Sequence, residues 1–142
     1  MSSTLSGAIG AAASALNAER TRVEVAVSNL ANAESTRGPN GEPYRRREVI
    51  LESAAGDSFS GALGQAVGVR VAGVVEDPTP FQRRYDPSHQ DADAEGFVSL
   101  PNVKSEEEMV DLLSASKAYQ ANLTAINVIR DMLQKALELG RV

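Results

Sequence analysis

Residues 105–140 read SEEEMVDLLSASKAYQANLTAINVIRDMLQKALELG, and their periodicity decides the architecture. Met109, Leu112, Ser116, Tyr119, Leu123, Ile126, Leu133 and Leu137 recur at alternating three- and four-residue intervals, the spacing of one helical face in a heptad-like pattern. Arg130 breaks the strict register, and Ile129 takes over the stripe there. Ser105 and Glu108 stand at capping-box spacing, and Glu106, Glu107 and Glu108 sit where the helix dipole is positive. No proline interrupts the run before Gly140, a natural stop, so a helix is expected over 105–139.

Working outward, the other end of the chain has the same character. Leu5, Ile9, Ala12, Leu16, Val23, Ala26 and Leu30 also follow a three-four spacing, which predicts a helix over 3–32. At 1.5 Å per residue it would be about 45 Å long, more than a compact domain of this size requires. Glu19 is the one break in the stripe. Gly7 and Gly10 weaken the first turns by roughly 1 kcal/mol each against alanine, so those turns should fray in a free subunit. Asn29, Asn32, Ser35, Thr36 and the run Gly38-Pro39-Asn40-Gly41 end the helix near Asn32 or Ala33. Pro39 and Pro43 bracket the Asn-Gly pair, which places a tight turn at 39–42.

Between the helices the period changes to two. Tyr44 to Glu52 is a candidate strand, and Val67, Val69 and Val71 alternate with Gly68 and Arg70 in a strand that continues through Val74 and Val75. Pro78 and Pro80 end it; Phe81 to Tyr85 and Gly96 to Leu100 are two more short candidates. These predict a small antiparallel meander or a pair of hairpins, which must lean on a helix or a neighbour because an isolated hairpin is marginal. The fold class is therefore α+β, mainly α, with two long terminal helices pairing antiparallel or side by side like a coiled coil. The divisions are 1–33, a β-rich insert at 34–104 with a flexible loop at 53–66, and 105–142.

Composition narrows the function classes. The chain has 142 residues, of which 42% are apolar but only 4% aromatic, with no tryptophan. That suits slim helix packing better than an aromatic-walled ligand pocket. A net charge of −5 argues against non-specific nucleic-acid binding. The one dense basic run, Arg45-Arg46-Arg47, is followed by Glu48 and reads as a solvated strand start. With no cysteine there are no disulfides or thiolate metal sites. No apolar stretch is long enough to span a membrane, and the first residues lack the basic n-region of a cleaved secretory signal.

Sites of chemistry are equally thin. The single histidine, His89, lies in a loop with no nucleophile motif near it, so no catalytic residue is expected. Asp91, Asp93, Glu95 and Gly96 mimic the first half of a calcium loop, but the twelfth position is Asn102 where a bidentate glutamate is required, and no helix precedes the loop. A structural turn is the better reading, and no metal is expected. Gly61, Gly64 and Gly68 are scattered without a phosphate-loop lysine, so neither a nucleotide cofactor nor a small-molecule substrate is expected.

What remains is helical stripe in excess of what one small subunit can cover, with Ala11, Ala12, Ala13 and Ala15 allowing close approach by further helices. Such surfaces favour head-to-tail assembly into helical tubes. The residues expected at assembly contacts are Leu5, Ile9, Leu16, Val23, Asn29, Leu30 and Asn32 in the first helix, with Met109, Leu112, Tyr119, Asn122, Leu123, Ile126 and Leu133 in the second. Asn29, Asn32, Asn122 and Asn127 either bond between helices or serve as ordinary caps and surface polarity.

Specific motifs sharpen this. Ser28-Asn29-Leu30-Ala31-Asn32-Ala33 and Ser116-Lys117-Ala118-Tyr119-Gln120-Ala121-Asn122 resemble the paired terminal signatures of bacterial flagellar rod and hook proteins. Arg37 to Arg45, Tyr85 to His89, Ala92 to Val98 and Leu100 to Val103 are similar to segments of a short proximal rod member of that family. Residues 53–66 and 1–7 carry no such motif. The resemblance implies a structural, non-enzymatic subunit, exported without a cleaved signal, that polymerises with copies of itself and other rod proteins into the periplasm-spanning drive shaft around an export channel. The rod-base adaptor and the membrane ring are further implied neighbours. Two competing readings are a free-standing helical adaptor that binds one partner helix in a groove, and a small hydrolase using the acidic loop.

Overall fold

The computed structural model describes residues 2–54 and 68–140, and the side chains from Leu5 onward. In chain order it contains α1 (Ser2–Ala31), β1 (Arg47–Ser53), β2 (Val69–Glu76), β3 (Gln82–Tyr85), β4 (Phe97–Leu100) and α2 (Ser105–Leu139). The protein is mainly helical, with two small antiparallel strand pairs between long terminal helices. The two helices run antiparallel: Asn29, near the end of α1, meets Glu108 at the start of α2, while Val23 shares a groove with Ser116 and Tyr119 further along.

Both hairpins follow from the period-two segments. β1 pairs with β2 from Arg47↔Glu76 to Ser53↔Val69, with a bulge after Ile50, where Ile50↔Gly73 is followed by Leu51↔Val71. β3 pairs with β4 from Gln82↔Leu100 to Tyr85↔Phe97. The insert is thus a pair of hairpins rather than a meander. The expected loop at 53–66 lies outside the described residues except for Ser53, which belongs to β1, and Ala54.

The β1–β2 hairpin leans along α1. Its base is tied at Asn29, whose side-chain oxygen accepts the Arg47 N–H at 3.0 Å. Its far end is tied at Ser14, whose hydroxyl accepts the Val69 N–H at 3.0 Å and donates to the Ala11 carbonyl at 2.7 Å. From Asn29 to Ser14 the helix spans about 22 Å, and the seven residues of β1 span about 23 Å, so strand and helix segment match in length.

Among the described residues the fully buried apolar set is small, and along the helices it consists of alanines. Ala18, Ala26 and Ala115 line the helix seam, and Val98, Leu100 and Val103 fill the space under the second hairpin. The α2 seam runs through Leu112, Ala115, Asn122, Ile126, Ile129 and Leu133, buried or half-buried, in step with the buried Glu108. This differs in phase from the heptad reading above. Met109 and Leu123 lie off the seam and are exposed, and Tyr119 stands at its margin beside Val23, because alanine at 115 lets α1 approach that side of α2 most closely.

Candidate functional site

Among the described residues, hydrogen bonds and ion pairs concentrate at a polar junction where α1 ends and α2 begins. Asn29 and Glu108 are only 1% and 2% exposed. The Asn29 amide donates to Glu108 Oε2 at 2.9 Å and to the Arg47 carbonyl at 2.9 Å, and its oxygen accepts the Tyr44 hydroxyl at 2.9 Å. Arg46 donates from Nε to Glu108 Oε1 at 2.6 Å, bonds Glu48, and reaches Asp77 at 3.4 Å and Asp111 at 3.8 Å. Asn102 accepts the Arg46 backbone N–H at 2.8 Å and donates to the Asp77 carbonyl and the Thr79 hydroxyl. Among the described residues no buried side-chain nitrogen or oxygen lacks a partner.

The electrostatics follow. Burial disfavours the charge on Arg46, but its hydrogen bonds and Coulomb attraction to Glu108 and Glu48 outweigh that and hold its pKa above the ordinary arginine value. Bonds from the Thr79 backbone and hydroxyl, with help from Arg46, hold Asp77 below the usual carboxylate range. The junction is therefore a fixed pattern of charges. It joins both helices to the base of the β1–β2 hairpin and, through Asn102, to the segment that follows β4.

Three readings of the sequence need correction here. Ser105 and Glu108 do not form a capping box: Lys104 occupies the N-cap without a side-chain bond, and the Glu108 carboxylate is drawn away to Asn29 and Arg46. The Arg45–Arg47 run is not a solvated strand start. The Arg46 backbone N–H is taken by Asn102, the Arg45 guanidinium lies over Phe81 at 4.5 Å and bonds the Asp77 and Thr79 carbonyls, and β1 starts only at Arg47. Asn29 does bond between helices, but inside the subunit, where burial removes it from any contact between subunits.

The other expected contact residues are placed as follows. Leu5, Ile9, Leu16, Val23 and Leu30 are half-buried along one flank of α1. Asn32 caps its own helix, donating to the Ser28 carbonyl at 2.8 Å. Leu112, Asn122, Ile126 and Leu133 belong to the α2 seam, Tyr119 lies at its edge facing Val23, and Met109 and Leu123 face outward. Val110, Leu113, Val128 and Met132 are outward-facing as well, and periodicity alone did not single them out. Helical spacing spreads these exposed residues over more than one side of α2, and a shallow groove of about 440 Å³ between the helices is walled by Val23 and Tyr119.

The acidic loop is tied to the segment before the 38–42 turn and to β3. Asp91 accepts from Thr36 at 2.8 Å and pairs with Arg37 at 3.3 Å, while Asp93 takes the Phe97 N–H at 2.7 Å and pairs with Arg83 at 2.6 Å. His89 accepts the Asp91 N–H at 3.1 Å through Nδ1. Among the described residues no three acidic or histidine side chains converge as a metal site.

Comparison with known proteins fits this geometry. Residues 9–39 match the family described as "Flagella basal body rod protein", and residues 94–139 match "Flagellar basal body rod FlgEFG protein C-terminal". Both matches fall on the helices and the segments that feed the junction, and they define the class as flagellar basal-body rod proteins. Flagellar basal-body rod protein FlgC of Bacillus subtilis is 46% identical over 145 residues, covering 94% of this chain and 96% of that protein. FlgC of Salmonella typhimurium is 46% identical over 131 residues (92% and 93%), and FlgC of Borreliella burgdorferi is 40% identical over 149 residues (95% and 97%). The chain belongs to the family of flagellar basal-body rod protein FlgC.

Proposed function

We propose that this chain is a structural, non-enzymatic subunit of the flagellar rod, located in the basal body and polymerising through its helices with copies of itself and with other rod proteins. The observation that carries the reading is the outer surface of α2, where Met109, Leu113, Leu123, Val128 and Met132 are exposed on more than one side. A helix that needed only α1 would present a single apolar face. Family membership supports a rod over a generic oligomer. In this reading the chain belongs to the proximal rod, is exported without a cleaved signal and crosses the periplasm within the drive shaft. The helix pair forms the inner tube around the export channel, and the two hairpins lie outside and brace neighbours, the rod-base adaptor and the membrane ring among them. A torque shaft needs many staggered contacts, and two helices of 30 and 35 residues supply axial overlap.

The test is to place Leu123→Asp and Met132→Asp separately in a strain lacking its own copy. Both sites are more than two-fifths exposed, so the purified subunits should fold with stability changes within about 0.5 kcal/mol, while basal bodies and swimming are lost. Normal swimming in both strains would overturn the reading. A stable one-to-one complex with a single protein, without rod density, would favour the adaptor instead.

A further inference from the structure

The Asn40-Gly41 pair at the tip of the 38–42 turn takes no part in the junction or in the helix surfaces. We propose that Asn40 is a site of spontaneous chemical modification, converting to isoaspartate or aspartate and adding one negative charge to the insert. The Gly41 backbone nitrogen closes on the Asn40 side-chain carbonyl carbon, a carbon–nitrogen bond forms, and the carboxamide nitrogen leaves as ammonia. Water then opens the resulting succinimide at either carbonyl, giving the two acids.

Three observations support this. Of the asparagines in the chain, Asn17 and Asn32 precede alanine, Asn29 and Asn122 precede leucine, and Asn102 and Asn127 precede valine; only Asn40 precedes a glycine. A following side chain shields the attacking nitrogen, and glycine alone leaves it open. Both Asn40 and Gly41 are exposed, so water and base reach them. Gly41 holds φ +80° with nothing within 4 Å of where a Cβ would stand, so the peptide has room to rotate into the ring. What opposes the reaction is the hydrogen bond from the Gly41 N–H to the Gly38 carbonyl, at 3.0 Å. A second bond, from the Gly38 N–H to the Glu42 carbonyl at 2.7 Å, closes the base of the turn but leaves the Asn40-Gly41 peptide free. The exposed tip needs to break only the Gly41–Gly38 bond to open.

The added charge has a consequence. Asn40 lines a cleft together with Arg37, Arg45 and Arg47. Arg37 already pairs with Asp91, which together with the Thr36–Asp91 bond fastens the 86–96 loop to the segment before this turn. A new carboxylate three residues from Arg37 competes with Asp91 for it.

The experiment incubates the full chain at mildly alkaline pH and maps the amide-to-acid mass change by peptide mass spectrometry, folded and in urea. In the folded protein Asn40 should convert about tenfold or more faster than any other asparagine, given its glycine neighbour. An Asn40→Gln chain should show no acid at that position over the same interval. If Asn40 converts in urea but stays intact in the folded chain, the Gly41–Gly38 bond locks the turn and the proposal fails. Conversion at Asn40 no faster than elsewhere overturns it as well.

Discussion

Replacing Glu108 tests whether the polar junction holds the subunit together. Glu108 is 2% exposed and gives one oxygen to Arg46 and the other to Asn29. Removing one partner of a buried pair costs about 3–5 kcal/mol. Here the figure should fall to about 2–4 kcal/mol, because Arg46 keeps Glu48 and Asp77 and the Asn29 amide keeps the Arg47 carbonyl. Glu108→Gln is the sharper variant. Its side chain has one acceptor where the junction uses two, so its amide must point a donor at Arg46 or at Asn29. Asn29 cannot turn its amide around to help, since its oxygen already accepts from Tyr44 and Arg47. That clash should cost about 1–3 kcal/mol with no change in volume. Unfolding entropy of about 2.1 cal/mol/K per residue over 142 residues gives about 0.3 kcal/mol/K, so a 3 kcal/mol loss lowers Tm by about 10 °C. Thermal unfolding of the purified subunit by far-UV circular dichroism reads this out. A double-mutant cycle with Arg46→Ala should return a coupling of at least about 1 kcal/mol. Glu108→Ala costing less than about 1 kcal/mol, with no coupling to Arg46, would refute the idea that the junction carries the fold.

Three further predictions concern the junction and the insert. Asp77 is held below the usual carboxylate range, so its contribution is full above the unfolded pKa near 3.9 and is lost as pH falls through the lower folded value. Stability of the wild-type chain should therefore drop more steeply below about pH 4 than that of Asp77→Asn, and parallel slopes would contradict this. Gly96 has φ +84°, and a Cβ there would stand 2.9 Å from Tyr85 Cε2 and 3.2 Å from Pro87 Cβ. Gly96→Ala should cost about 1–3 kcal/mol and shift the amide resonances of the β3–β4 hairpin, whereas unchanged spectra would show that the turn relaxes freely. A Cβ at Gly68 would stand 2.7 Å from the Ser14 hydroxyl, which holds the Val69 N–H. Gly68→Ala should speed hydrogen exchange at Val69 and through β2 while leaving α2 untouched, and equal protection in both chains would count against the Ser14 tie.

The helices and strands were largely legible in the sequence because each has a period that burial enforces. The second helix begins and ends where its periodicity does, at Ser105 and Leu139. The strands agree to within a few residues. The phase of the second helix was less legible, since Met109 and Leu123 are as apolar as the true seam residues. Size decides the matter: Ala115 admits a neighbouring helix more closely than Met109 does. A signal was present. Glu108 stands four residues before Leu112 and seven before Ala115, in step with Asn122, Ile126, Ile129 and Leu133. A carboxylate in phase with a seam is costly to bury alone, so its position calls for a cation and a donor from elsewhere in the chain. Those partners, Arg46 and Asn29, lie 62 and 79 residues away, a separation that no local pattern encodes.

The division between polar and apolar contacts bears on how such a subunit works. The fully buried seam residues are alanines, at 18, 26 and 115, while Leu112, Ile126, Ile129 and Leu133 are only half-buried, so apolar contact along the seam, at about 25 cal/mol per Å², is incomplete. The junction supplies what the seam lacks, and it does so with hydrogen bonds whose geometry admits one arrangement of helices and hairpins. Further large apolar side chains, Met109, Leu113, Leu123, Val128 and Met132, lie on the outside of α2, where α1 does not cover them. On the proposed assembly, a subunit built this way fixes its shape through polar contacts within the chain and leaves exposed apolar area for its neighbours. Substitutions should therefore separate into two classes. Changes at Glu108, Arg46 or Asn29 should lower the stability of the isolated chain, and changes at Leu123 or Met132 should spare it and abolish assembly. If both classes lowered monomer stability equally, the outer face of α2 would belong to the fold, and the assembly reading would lose its main support.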